Sequence, residues 1–112
     1  MLVGADVFVG VSRPNLISSN EVRTMNQDPI IFALYNPEPE IMPEEAYAGG
    51  AAIVATGRSD FPNQVNNVLA FPGLFKGVLE ARIPQIEHKH LIAVAKALAD
   101  YVKTPTKDEI IP

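Results

Sequence analysis

The chain has 112 residues, a formal net charge of −4, and 47% hydrophobic residues. This length suits one domain with a modest core, and the hydrophobic fraction excludes intrinsic disorder. Its apolar runs are too short to span a membrane, its basic residues form no nucleic-acid-binding stripe, and it has no cysteine for disulfides or thiolate metal sites. We therefore expect a cytoplasmic protein whose partners include neither nucleic acid nor membrane.

Three short apolar runs predict three strands. Ala5–Val11 and Ile30–Leu34 are almost continuously apolar, and Ala51–Ala55 is a shorter third run. A half-exposed strand alternates apolar and polar residues, whereas a parallel strand covered on both faces is apolar throughout. The runs therefore predict a short parallel sheet whose strands are buried on both faces.

Helices are predicted between these strands. Ser18 or Ser19 is a suitable N-cap for the first helix, which runs to about Asn26. Proline in the first turn, at Pro43, favours the start of a second helix that ends at Gly49-Gly50.

The chain beyond the third strand is predicted to be mainly helical. The expected segments are Asn63 or Gln64 to Ala70, Gly73–Arg82, and Glu87–Val102. Pro72 is expected to break or kink the helix, because a proline disfavours helical dihedrals in the residue before it. The alternation of strands and helices predicts the α/β class, with three layers and a parallel sheet.

A dense group of polar side chains follows the third predicted strand, within Ala55–Gly73. Its members are Arg58, Asp60, Asn63, Gln64, Asn66 and Asn67. In α/β folds, ligands bind beyond the carboxyl ends of parallel strands. Ser12, Asn36 and Thr56 with Arg58 should therefore lie on one rim, together with the start of the helix predicted near Asn63.

Each of these polar residues also has a structural alternative. Asn36 precedes a proline and suits a turn, whereas its carboxamide could also donate to and accept from a ligand. Asn66 and Asn67 could cap a helix or face solvent as readily as bind a ligand. Arg58 could hold an anion or form a local ion pair with Asp60.

Other candidate sites are weaker. His88 and His90 are two positions apart, which places them on different helix faces and disfavours a metal pair. A run of carboxylates suggests a solvated acidic loop: Glu38, Glu40, Glu44 and Glu45. The sequence has no G-x-G-x-x-G, P-loop or G-x-S-x-G motif. The residues alone thus indicate ligand-orienting amides without a reaction centre.

Three segments closely resemble the malic enzyme family. They are G-A-D-V-F-V-G-V-S at Gly4–Ser12, D-P-I-I-F-A-L-Y-N-P-E-P-E-I at Asp28–Ile41, and A-T-G-R-S-D-F-P-N-Q-V-N-N-V-L-A-F-P-G at Ala55–Gly73. The resemblance is to the C-terminal part of the NAD(P)-binding domain in the shorter, prokaryote-type enzymes. It implies a partial Rossmann-like fold, with a short parallel sheet and flanking helices. It also implies the family reaction: (S)-malate is oxidised with NAD or NADP and decarboxylated to pyruvate and CO2, with Mn or Mg required.

The resemblance assigns roles to a few residues. It implies that Ser12, Asn36 and Asn67 bind the cofactor and that Asn66 and Asn67 bind the substrate. No residue matches the family's catalytic tyrosine and lysine, its metal ligands or its glycine-rich turn, because these precede this segment. We therefore expect residues 1–102 to be the C-terminal portion of the domain, residues 103–112 to be a truncated tail, and the fragment to be inactive alone.

A second hypothesis comes from another functional class. The chain could be a non-catalytic nucleotide-binding or assembly module that self-associates through an open sheet edge, since unpaired apolar edges pair with other chains. In either case we expect a homo-oligomer. The choice between NAD and NADP stays open, because the residues that sense the 2′-phosphate follow an earlier strand of the dinucleotide fold.

Overall fold

The computed structural model describes residues 2–112. The described chain forms two compact units, one up to Val65 and one from Asn66 onward.

The first unit alternates strands with short helices. Its elements are β1 (Val7–Gly10), α1 (Ser19–Val22), β2 (Ile30–Ala33), α2 (Pro43–Ala48) and β3 (Ile53–Thr56). The strands form a parallel sheet in the order β1-β2-β3. Val7 pairs with Ile30 and Ile30 pairs with Ile53, an offset of 23 residues each time. The predicted parallel α/β arrangement is confirmed, with strands of four residues each.

The core of this unit lies on one face of the sheet. Val22 of α1 and Ala46 of α2 belong to one buried cluster with Ile31 of β2. On the other face, the side chains of Val7 and Val9 are 47% and 62% exposed. The prediction that the first strand is covered on both faces is therefore wrong for β1, which lies at the end of the sheet.

Both short helices begin where the sequence predicts. The Glu21 carboxylate accepts hydrogen bonds from the backbone N–H of Ser18 at 2.8 Å and from its hydroxyl at 3.0 Å, and these bonds lower the pKa of Glu21. Pro43 occupies the first turn of α2, where a backbone N–H would have no hydrogen-bond partner within the helix, so its absence costs nothing. The first helix ends at Val22, earlier than the predicted Asn26.

The second unit contains a 3₁₀ turn and two helices. Their bounds are Asn67–Leu69 for the turn, Phe71–Glu80 for α3, and His88–Tyr101 for α4. Both helices lie within two residues of the predicted ones. Pro72 does not break a helix; it lies in the first turn of α3, where proline is well tolerated. No helix within residues 2–112 is long and apolar enough to cross a membrane.

The helix predicted from Asn63 or Gln64 to Ala70 is wrong. Instead, the chain after β3 turns back and pairs Gln64 with Thr56 in a parallel bridge. The backbone N–H of Val65 donates to the Thr56 carbonyl at 2.7 Å. Asn63 is buried with a φ of 57°, a left-handed conformation that asparagine adopts more readily than most residues. Its Nδ2 donates to the Val54 carbonyl at 3.1 Å and holds this loop against the strand.

Candidate functional site

The carboxyl ends of the three strands lie side by side. Gly10 is paired with Ala33, which is paired in turn with Thr56, so the three loops that follow leave the same edge of the sheet. Ser12 and Asn36 lie on two of these loops, and both are exposed. This edge is where α/β folds bind their ligands.

Asn36 packs closely against the loop after β3. A Cβ at Gly57 would stand 2.7 Å from Asn36 Nδ2 and 3.2 Å from the Leu34 carbonyl oxygen. A side chain at Gly57 would therefore displace the Asn36 carboxamide from its present position. The Asn36–Pro37 peptide bond is cis. The carboxamide of Asn36 is therefore positioned by contact with the next loop.

Arg58 forms the local ion pair that was the alternative to anion binding. Its Nε and Nη2 donate to the two carboxylate oxygens of Asp60 at 2.8 and 2.6 Å, which lowers the pKa of Asp60 and raises that of Arg58. Its Nη1 donates to the Pro37 carbonyl at 3.3 Å, and its guanidinium carbon lies 5.3 Å from the centroid of the Phe61 ring. Thr56 is fully buried, and its hydroxyl accepts from the Arg58 N–H at 3.2 Å. These contacts fix the loop after β3.

Glu40 is a buried residue that the sequence interpretation missed. It was expected in a solvated acidic loop, but its side chain is completely inaccessible to solvent. Its Oε1 accepts from the Ser12 N–H at 2.8 Å, and its Oε2 accepts from the Tyr35 N–H at 3.2 Å. The other members of the acidic run are exposed: Glu38, Glu44 and Glu45. Ser12 is 28 positions from Glu40, so no local pattern signals this contact.

Asn66 and Asn67 lie in the second unit. Asn66 caps the 3₁₀ turn, because its Oδ1 accepts from the Val68 N–H at 3.0 Å. Asn67 is the first residue of that turn and is exposed. Capping and solvent exposure, the two structural alternatives, therefore describe these residues in this structure. Their ligand roles stay predictions.

Within residues 2–112, no group of three or more histidine, aspartate or glutamate residues is placed to hold a metal ion. Nδ1 of His90 accepts from the Glu87 N–H at 2.8 Å at the start of α4. The residues present thus do not fit the Mn or Mg that the resemblance implies. A cleft of about 440 Å³ between α3 and α4 is lined by apolar groups such as Leu74 and Leu98, and it contains none of the predicted site residues.

A comparison with protein families identifies the family of the chain. The model of the family described as "Malic enzyme, NAD binding domain" matches residues 1–112. The chain belongs to this malic enzyme family. The resemblance inferred from the three sequence segments is therefore confirmed, and with it the partial Rossmann-like α/β fold.

Individual family members match the chain over nearly its whole length. The bifunctional malic/malolactic enzyme of Bacillus subtilis (strain 168) is 52% identical over 114 residues, which cover 100% of this chain and 28% of that protein. The NADP-dependent malic enzyme of Rhizobium meliloti (strain 1021) is 53% identical over 110 residues, covering 97% of this chain and 14% of that protein.

A solved structure of a family member agrees with the fold. The crystal structure of malic enzyme from Pyrococcus horikoshii OT3 superposes with a TM-score of 0.94 at 50% identity. The aligned region makes up 99% of this chain and 26% of the chain in that crystal structure. The chain thus spans less than a third of the length of the Bacillus subtilis, Rhizobium meliloti and Pyrococcus horikoshii proteins.

Proposed function

We propose that the chain forms part of the cofactor and substrate site of a malic enzyme. That enzyme oxidises (S)-malate with NAD or NADP and decarboxylates the resulting oxaloacetate to pyruvate and CO2. The observation that carries this proposal is the family match over residues 1–112, whose description names an NAD-binding domain. The aligned strand ends support it, because they gather Ser12 and Asn36 at the edge where such folds bind nucleotides.

The proposal gives each predicted residue a role. Ser12 borders the cofactor, and the Asn36 carboxamide binds the nicotinamide ribose. Asn66 and Asn67 bind the malate carboxylate, and Asn67 also contacts the cofactor. A carboxamide suits these tasks because it donates and accepts hydrogen bonds without a buried charge to neutralise. The exposure of Asn36, together with its close contact at Gly57, supports its part in this scheme.

We assign no proton transfer and no metal ligand to this chain. The catalytic residues and the ligands of Mn or Mg would come from other parts of the longer enzyme, of which residues 1–102 form the C-terminal portion of the cofactor domain and residues 103–112 a tail. The chain alone should then be inactive. A cytoplasmic location and a homo-oligomeric state stay predictions from the sequence.

A segment exchange tests the proposal. This chain would replace the aligned segment of the Bacillus subtilis enzyme, and absorbance of the reduced nicotinamide would be followed with malate, Mn and NAD or NADP. We expect turnover by the hybrid, none by the lone chain, and a loss of at least about tenfold in kcat/KM for Asn36→Ala or Asn67→Ala, the loss expected when one ligand hydrogen bond disappears.

A matched control strengthens that experiment. Asn20 is an exposed asparagine on α1 and is not one of the predicted site residues, so Asn20→Ala should leave turnover unchanged. Turnover by the lone chain would contradict the proposal. So would an active hybrid in which the Asn36 and Asn67 variants behave like the Asn20 variant.

A second candidate function is favoured by one observation. β1 lies at the end of the sheet, and Val7 and Val9 leave an apolar surface there. Open apolar edges pair with other chains, and a lysine on the edge strand opposes such pairing. An assembly module should therefore self-associate at high concentration in sedimentation experiments, and Val9→Lys should shift it towards monomer. A clean monomer of the unsubstituted chain would count against this candidate.

A further inference from the structure

The completely buried side chain of Glu40 lies between two loops at the carboxyl edge of the sheet. Its Oε1 accepts from Ser12, two residues beyond β1. The Glu40 carbonyl also accepts from the N–H groups of Leu16 and Ile17, at 2.8 and 3.2 Å. The loop after β1 is therefore tied to residue 40 through both backbone and side chain.

The same carboxyl group reaches the loop after β2. Its Oε2 accepts from the N–H of Tyr35, the residue directly before Asn36. Hydrogen bonds to a carboxylate are shorter and stronger than those between neutral groups, and burial removes competing water. One side chain thus holds the backbone at Ser12 and next to Asn36.

Gly10 provides the space that this arrangement needs. A Cβ at this position would lie 2.5 Å from Glu40 Cδ and 2.7 Å from Glu40 Oε1. The carboxyl group therefore passes directly over the last residue of β1. Any side chain at Gly10 would push it away from the two N–H groups.

We propose that Glu40 is a positioning residue. It fixes the loops after β1 and β2 relative to each other and so sets where Ser12 and Asn36 meet the nicotinamide cofactor. The proposal has two parts. The loop-fixing part is supported by the observed hydrogen bonds, and the cofactor part rests on the proposed function.

The loop-fixing part is tested by amide hydrogen exchange in the 112-residue chain. Glu40→Gln retains the shape of the side chain but has one acceptor oxygen, so it satisfies only one of the two N–H groups. Exchange at Ser12 or Tyr35 should speed up by about tenfold or more, which corresponds to losing a hydrogen bond to a charged group. Exchange within β2, at Ile31, should stay unchanged.

Glu44→Gln is the matched control, because it makes the same charge change at an exposed residue of α2. It should leave exchange at Ser12 and Tyr35 unchanged. If Glu40→Gln also leaves both amides unchanged, or accelerates Ile31 equally, the loop-fixing role is refuted. Should Glu40→Gln not fold, Gly10→Ala displaces the carboxyl group without removing it and is judged by the same criteria.

The cofactor part is tested in the active hybrid enzyme. Glu40→Gln should raise the KM for the nicotinamide cofactor by about tenfold, with a smaller change in kcat, whereas Glu44→Gln should change neither. A KM equal to that of the control would refute the role in cofactor positioning, because a purely structural carboxyl group would change only the melting temperature. An inactive unsubstituted hybrid would count against the proposed function, and the exchange experiment would still decide the loop-fixing role.

Discussion

Asn63 should be a main determinant of stability in the first unit, and replacing it with alanine removes two contributions at once. The residue is 6% exposed and has a φ of 57°. Its side chain donates to the Val54 carbonyl at 3.1 Å, which connects the loop after β3 to the strand itself. Alanine removes this donor and also tolerates the left-handed conformation less well.

The size of the effect follows from these two losses. Removing one partner of a buried hydrogen bond costs about 1–3 kcal/mol. A non-glycine residue in the left-handed region costs about 1–2 kcal/mol, which asparagine partly avoids. Asn63→Ala should thus lower the free energy of unfolding by roughly 2–4 kcal/mol, equivalent to a fall of about 10 °C or more in the melting temperature of a domain this small.

Asn63→Gly provides the matched comparison, because glycine adopts the left-handed conformation freely but still lacks the side-chain donor. Thermal and urea unfolding, followed by circular dichroism, should rank the unsubstituted chain above Asn63→Gly and Asn63→Gly above Asn63→Ala. A glycine variant less stable than the alanine variant would refute the backbone contribution. An alanine variant within about 0.5 kcal/mol of the unsubstituted chain, the usual range for surface changes, would refute the whole account.

Three further outcomes are expected. Gly57→Ala should move the Asn36 carboxamide, because the new Cβ would lie 2.7 Å from Asn36 Nδ2, whereas an ordinary contact is 3.4 Å or longer. In the hybrid enzyme we expect kcat/KM to fall by up to about 100-fold, with little change in melting temperature. Arg58 lowers the pKa of Asp60 in the folded state. The ion pair therefore stabilises the fold above the ordinary aspartate pKa of about 3.9. This stabilisation is lost as the pH falls through the lower pKa of the folded state. Asp60→Asn should remove this contribution, as measured by unfolding between pH 2 and pH 6, the range around this titration, whereas the contribution of Glu21, whose pKa is also lowered, should remain. Leu74→Ala should destabilise the second unit by only about 2 kcal/mol, which is at the low end for a buried leucine. The loss is small because Leu74 already borders a cleft. Unchanged thermal unfolding would contradict its place in the core.

Apolar runs were sufficient to predict the three parallel strands and the two C-terminal helices. The region after β3 could not be predicted in the same way, because its conformation depends on contacts between separated residues. Asn63 bonds to Val54, and Gln64 pairs with Thr56, so the chain folds back before any helix begins. A local pattern of polar residues before an apolar run does not distinguish this return from a helix start.

Glu40 shows a similar limit within the candidate site. It follows Pro37, Glu38 and Pro39, a run of residue types that suggests a solvated loop. Its burial is determined by N–H groups of Ser12 and Tyr35, the first of which is 28 residues away. The opposite case is Asn36, whose place after the second strand followed from the sequence, although its exposure and its contact with Gly57 did not.

The constant offset of 23 residues between paired strands affects how the first unit assembles during synthesis. Each new strand closes a loop of the same moderate length, and the entropy lost on loop closure rises only slowly with length. Ribosomes add about 5–20 residues per second, so successive strands emerge within about 1–5 s of each other. The three strands can therefore pair one at a time on the nascent chain, in the order in which they emerge.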